Sequence, residues 1–160
     1  MKSISIFTLK YLAKRKAKDR VKEQGAVVVE IQYQTEWRVS MKINLIEIKG
    51  NYIAEIISDT VVIKNSQNAL DLMANCGYQG ARKIIINEKN IIPDFFDLKT
   101  GIAGEILQKF ANYDVQLAIV GDFSKYSSKS LRGLIYESNK KGRINFVKST
   151  SEAKDKLLRE

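Results

Sequence analysis

At 160 residues with one cysteine and no histidine, the chain is long enough to bury a single core without metal or disulfide support. The missing histidine excludes Ser-His-Asp and Cys-His nucleophiles and His-rich metal sites, leaving carboxylate, lysine, hydroxyl or lone-thiol chemistry. The net charge of +9 is uneven along the chain: residues 1–40 carry 9 Lys/Arg against 4 Asp/Glu, residues 41–124 carry 8 against 10, and residues 125–160 carry 10 against 4. Basic ends of this kind are solvated faces more often than nucleic-acid surfaces.

The opening run Ile4-Ser-Ile-Phe-Thr-Leu9 is too short for a secretory h-region, and its basic cluster follows rather than precedes it. With no apolar run approaching the ~20 residues of a membrane span and a lone Cys76, a cytoplasmic protein is expected. Residues 10–22 read as an exposed basic helix with a thin apolar stripe of Leu12, Ala13 and Ala17. From Val27 to Val39 apolar and polar residues alternate, the pattern of a half-buried strand. Met41 nevertheless opens a natural domain start, so residues 1–40 read equally as an added edge strand with a basic arm or as a dispensable leader before a domain of residues 41–160. Nucleic acid is expected as a partner only if that arm belongs to the fold.

Residues 43–48 and 52–57 are apolar runs separated by Lys49-Gly-Asn51, a hairpin in which Gly or Asn takes positive φ. A short apolar run, Val61-Val-Ile63, comes next. A helix capped by Asn65 or Ser66 follows, with Ala69, Leu70, Leu72, Met73 and Cys76 on one face, stopping at Gly77. Ile84-Ile-Ile86 and residues 115–120 are β-branched runs without alternation, as in strands covered on both faces. Between them Ile102, Ala103, Ile106, Leu107 and Phe110 recur at helical spacing, a crossover that makes its flanking strands parallel. A helix capped by Ser127 or Ser128, a strand over 144–147 and a capping-box helix from Ser149-Thr-Ser-Glu152 complete the chain. The order β-β-α-β-α-β-α-β-α implies a mixed α/β sheet with parallel central strands and an antiparallel N-terminal hairpin.

The candidate site lies in the loops after the parallel strands, where open α/β sheets bind ligands: Glu88, Asn90, Phe95, Phe96, Asp97, Lys99, Thr100, Gly101, Asp122 and Ser124. Thr100 reads as an N-cap, and a helix N-terminus there, with Gly101 and Gly104 leaving room, suits an anion. A helix starting instead at Pro93 would remove that site. Asp122, Glu88 and Asp97 are either a carboxylate cluster for Mg²⁺ or, more often for such residues, turn-formers and caps. Of Phe95 and Phe96, adjacent in sequence, at least one is expected in the core and the other to be left partly exposed to a partner.

Glu55-Ile-Ile-Ser-Asp59, Asn68-Ala-Leu-Asp-Leu-Met73, Pro93-Asp-Phe-Phe-Asp-Leu-Lys-Thr-Gly-Ile-Ala-Gly-Glu105 and Leu117-Ala-Ile-Val-Gly-Asp-Phe-Ser124 resemble the bacterial domain of unknown function family 4180, over residues 42–158. That family resembles in turn the STAS domains, antagonists of anti-sigma factors, through the same order of elements. The resemblance implies a non-enzymatic regulatory module with a protein partner and no cofactor, and matches Thr100 to the phosphorylated hydroxyl of STAS switches. Here Asp97-Leu-Lys-Thr-Gly101 is one residue longer than the usual Asp-Ser-Ser-Gly. A small anionic ligand at the same helix start, such as a nucleotide, phosphate or lipid head group, is the alternative.

Overall fold

The computed structural model describes residues 22–23, 26–34 and 40–159, with side chains from residue 41 onward. Seven strands form one sheet in consecutive order: β1 (Lys22–Glu23), β2 (Ala26–Gln34), β3 (Ser40–Ile48), β4 (Asn51–Ser58), β5 (Lys83–Asn87), β6 (Gln116–Val120) and β7 (Ile144–Val147). The first four pair antiparallel, and β4 to β7 run parallel. The helices are α1 (Ser66–Tyr78), α2 (Ile102–Asn112), α3 (Lys129–Lys141) and α4 (Thr150–Leu158). The α/β class, the antiparallel hairpin and the parallel remainder agree with the sequence pattern.

The alternating segment forms β2 over its first part and pairs with β3 from Val27 opposite Glu47 to Gln34 opposite Ser40. Its expected continuation through residues 35–39 and the basic helix expected over 10–22 lie outside the described residues, apart from Lys22 in β1.

The hairpin turn is Lys49-Gly50, with φ of +50° and +78°. Asn51 already pairs with Ile48, so it is Lys49 rather than Asn51 that accompanies the glycine in the left-handed region, as a two-residue turn between right-twisted strands requires. Val61-Val-Ile63 is not a strand. It makes one parallel bridge, Ile63 to Ile91, because Val62 and Ile63 both donate to the single carbonyl of Asn90, at 2.7 and 3.0 Å. Asn65 is the cap of α1, accepting from Asn68 N–H. The helix runs past Gly77 to Tyr78, and the left-handed glycine after it is Gly80, at φ +86°. Ser128 caps α3 and Gly142 ends it at φ +78°. Ser149 accepts from Glu152 N–H while Glu152 reaches back to Lys148 N–H, which ties the first turn of α4 to the end of β7.

The parity of the parallel strands divides the core. Ile84, Ile86, Leu117, Ile119 and Phe146 face one side, under α1, α2 and Leu131 of α3, and Cys76 is fully buried there. Ile85, Ala118 and Val147 face the other, against Ala153 and Leu157 of α4. The side chains left over at the carboxyl ends of β4, β5 and β6 therefore point into loops or across a sheet face that the nine-residue α4 covers only in part.

Candidate functional site at the carboxyl edge

Three short 3₁₀ turns carry the chain from β5 to α2: Glu88–Asn90, Pro93–Phe96 and Leu98–Thr100. A fourth, Phe123–Lys125, follows β6. Three of them start on a side-chain cap: Asn87 accepts from Lys89 N–H, Asp97 from Lys99 N–H and Asp122 from Ser124 N–H. Short polar side chains bond their own backbone two residues on, and this fixes the loops. Asp122 also accepts from Ser124 Oγ at 2.6 Å. These two bonds from Ser124 hold the Asp122 carboxyl below its ordinary pKa.

Phe95 and Phe96 are both buried, at 0% and 6% exposure. The expectation of one exposed phenyl assumed a regular element with opposed neighbours. A 3₁₀ turn instead advances about a third of a revolution per residue, and the two loops close over both rings. Phe95 and Phe96 meet edge-on at 5.0 Å between centroids, Phe96 stacks on Tyr126 at 5.1 Å, and Phe123 meets Phe146 edge-on at 5.2 Å. This aromatic seam holds the turn after β6 against the turns before α2. The phenyl groups position the site and do not present it.

Asn90 is equally buried and serves as a clasp, its Nδ2 donating to the carbonyls of Ser58 and Thr60 at 2.7 and 2.8 Å. Glu88 does not join Asp97 and Asp122. Among the described residues no group of three Asp, Glu or Cys side chains is placed to hold a metal ion, so the carboxylate cluster for Mg²⁺ does not form. Asp97 and Asp122 are caps, and Glu88 Oε1 accepts from Lys125 Nζ at 2.5 Å. That hydrogen bond is the main cause raising the Lys125 pKa.

Thr100 is exposed at the end of its turn, one residue earlier than expected relative to the helix. The N-cap of α2 is Gly101, at φ +78° and with no side-chain cap bond of its own. Thr100 Oγ1 lies 2.7 Å from the Asp94 carbonyl and 2.8 Å from the Asp97 carbonyl as donor, and accepts from Ile102 N–H at 3.3 Å. Pro93 starts a separate 3₁₀ turn, not α2. Lys99 and Gly101 are exposed beside Thr100. The exposed residues are thus Lys99-Thr100-Gly101 before α2 and Asp122, Ser124 and Lys125 after β6, two segments joined beneath by the stacking of Phe96 on Tyr126. The surface expected from the sequence already ran from Asp122 to Lys125; what sequence reasoning missed are Gly121 and Tyr126 as parts of the site and the contact of Lys125 with Glu88, which joins positions 37 apart and which no local spacing encodes.

A family model described as Domain of unknown function (DUF4180) matches residues 48–157, more than half of the chain. The chain belongs to this family. The DUF4180 region contains every residue of the exposed site and begins at the last residue of β3, so the core residues Met41, Ile43, Leu45 and Ile46 of that strand precede it. No curated protein and no solved structure matches the chain. Among the described residues of this DUF4180 protein, no helix is long and apolar enough to cross a membrane.

Proposed function

We propose that this protein is a non-enzymatic, STAS-like regulatory module of the bacterial cytoplasm that binds another protein through the carboxyl edge of its sheet around Thr100. One observation carries the reading: an exposed hydroxyl whose proton is shared between two backbone carbonyls, those of Asp94 and Asp97, in the turn that feeds α2. A phosphoryl group on Oγ1 would remove that proton and set a dianion against both carbonyl oxygens, while the N-terminus of α2 and Lys99 would attract it. The turn would have to rearrange. A chain without histidine and with its site carboxylates engaged as caps or in an ion pair supports a binding role over a catalytic one.

Quantitative capture from cell extract with wild-type, Thr100→Val and Thr100→Asp baits tests this reading. A reproducible protein partner whose recovery falls about tenfold with Thr100→Asp, the equivalent of ~1.4 kcal/mol, is the expected result. Equal recovery by wild type and Thr100→Asp, both melting cooperatively, would remove the switch.

Gly101 supplies no side-chain cap to α2 and Thr100 Oγ1 takes only the Ile102 N–H, which favours a second reading, a small anion held at the first turn. A concentration-dependent rise in melting temperature with inorganic phosphate or nucleotides, lost in Lys99→Ala, would support it.

A further inference from the structure

On the opposite face of the sheet from α1 and α2, where α4 stops short of β4, lies a cavity of about 190 Å³. Its floor crosses three adjacent strands: Glu55 of β4 is in register with Ile85 of β5, and Asn87 of β5 with Val120 of β6. Its rim is formed by Asp59 after β4, Lys89 after β5 and Thr150 in the first turn of α4. This position is again the carboxyl edge of parallel strands, where loops and a helix start converge on a ligand. It is separate from the Thr100 surface, which lies beyond the other face of the sheet with α2.

The lining is charged with both signs. Glu55 is half-buried on the sheet face, while Asp59 and Lys89 are exposed at the rim. Among the described residues none of these three charged side chains makes an ion pair or a hydrogen bond. An ammonium group bound there would make charge-assisted hydrogen bonds to these carboxylates. At the other side, the Lys89 ammonium and Thr150 offer donors to an anion, beside the capping box in which Ser149 accepts from Glu152 N–H and the Glu152 carboxylate from Lys148 N–H. The cavity volume is below the ~300–1,000 Å³ of sites for drug-sized ligands, which points to a small ligand.

We propose that this cavity binds a small α-amino acid as its zwitterion, with the ammonium on Glu55 and Asp59 and the carboxylate toward Lys89 and the first turn of α4.

Thermal unfolding of the full-length protein in the presence of L-alanine, ethylamine and propionate tests it without any protein partner, so the outcome is independent of the Thr100 reading. L-alanine, or another member of a panel of small α-amino acids, should raise the melting temperature saturably, and the two single-charge probes should not at equal concentration. Glu55→Gln should weaken the amino acid about tenfold, as expected for loss of one charge-assisted hydrogen bond, and Lys89→Ala should weaken it in the same direction. Tyr136→Ala, on the exposed side of α3, should respond as wild type. A flat response to the whole panel, an equal response to the amine or carboxylate alone, or wild-type titration by both Glu55→Gln and Lys89→Ala would overturn the assignment.

Discussion

The side chain of Glu88 lies across Gly121. A Cβ on Gly121 would come within 2.6 Å of Glu88 Cγ and Cδ and 2.8 Å of Oε2, so the glycine is what lets the loop after β5 lie against the end of β6. The carboxylate is 15% exposed, with Oε1 on Lys125 and Oε2 buried without a partner. Gly121→Ala is therefore expected to push the flexible Glu88 side chain into solvent and break its contact with Lys125. Stability should change little, because solvation of the orphaned Oε2 offsets the lost pair. The diagnostic is an NMR titration of the Lys125 side chain, whose pKa should fall toward the ordinary lysine value; an unchanged titration would show that Glu88 stayed in place.

Alkaline pH probes the same pair. Lys125 is raised chiefly by its hydrogen bond to Glu88, and Tyr126 chiefly by burial and then by the Glu88 charge. A group whose folded pKa lies above its unfolded value contributes stability that is present below the unfolded pKa and lost as pH rises through the folded one. Urea unfolding should accordingly show stability declining from about pH 10 upward. In Glu88→Gln the decline should be shallower; identical pH profiles for the two proteins would contradict this assignment.

Burial of the phenyl pair sets a trap for partner-binding experiments. Phe96→Ala, which removes the ring stacked on Tyr126, is expected to cost about 3–5 kcal/mol, whereas Thr100→Val removes one exposed hydroxyl and should cost about 1 kcal/mol. Denaturant midpoints measured side by side will separate them. A Phe96→Ala protein as stable as wild type would mean that the aromatic seam does not hold the two loops together.

The outer edge of the sheet is closed by a side chain. Asn139 of α3 donates its Nδ2 to the Phe146 carbonyl at 3.1 Å and accepts from Phe146 N–H at 2.7 Å, standing in for a neighbouring strand on β7. Unpaired edges invite pairing with another chain. Asn139→Ala is expected to cost about 1–3 kcal/mol and to produce concentration-dependent self-association in sedimentation experiments; a variant that stays as stable and as dispersed as wild type would show that the edge needs no such cover.

The fold was readable where a periodic pattern coincided with burial. Ile84-Ile85-Ile86 and Leu117-Ala118-Ile119 are apolar on both faces because both faces are covered, and Ile102, Ile106 and Phe110 recur at helical spacing because one stripe of α2 meets the sheet. Readability failed in the 3₁₀ turns, whose period is neither two nor 3.6. There Phe95 and Phe96 both turn inward and Gly101 replaces Thr100 as N-cap; ahead of these turns Val62 and Ile63 both donate to the Asn90 carbonyl. Glu88–Lys125 and the Glu55 cavity depend on which strands are neighbours, and that information resides in the sheet order.

Site-specific photo-crosslinking in cells tests the claim that the carboxyl edge around Thr100 is the interaction surface. Crosslinkers at Lys99, next to Thr100, and at Ser124, in the turn after β6 that the aromatic seam ties to the turns before α2, sample the carboxyl edge, while crosslinkers at Tyr52 and Tyr113, exposed residues near the amino ends of β4 and β6, sample the opposite edge. The expected result is one discrete protein adduct at Lys99 and Ser124 that Thr100→Asp suppresses, and none at Tyr52 or Tyr113. Adducts confined to Tyr52 and Tyr113, or no adduct at Lys99 and Ser124 from a folded protein, would contradict it.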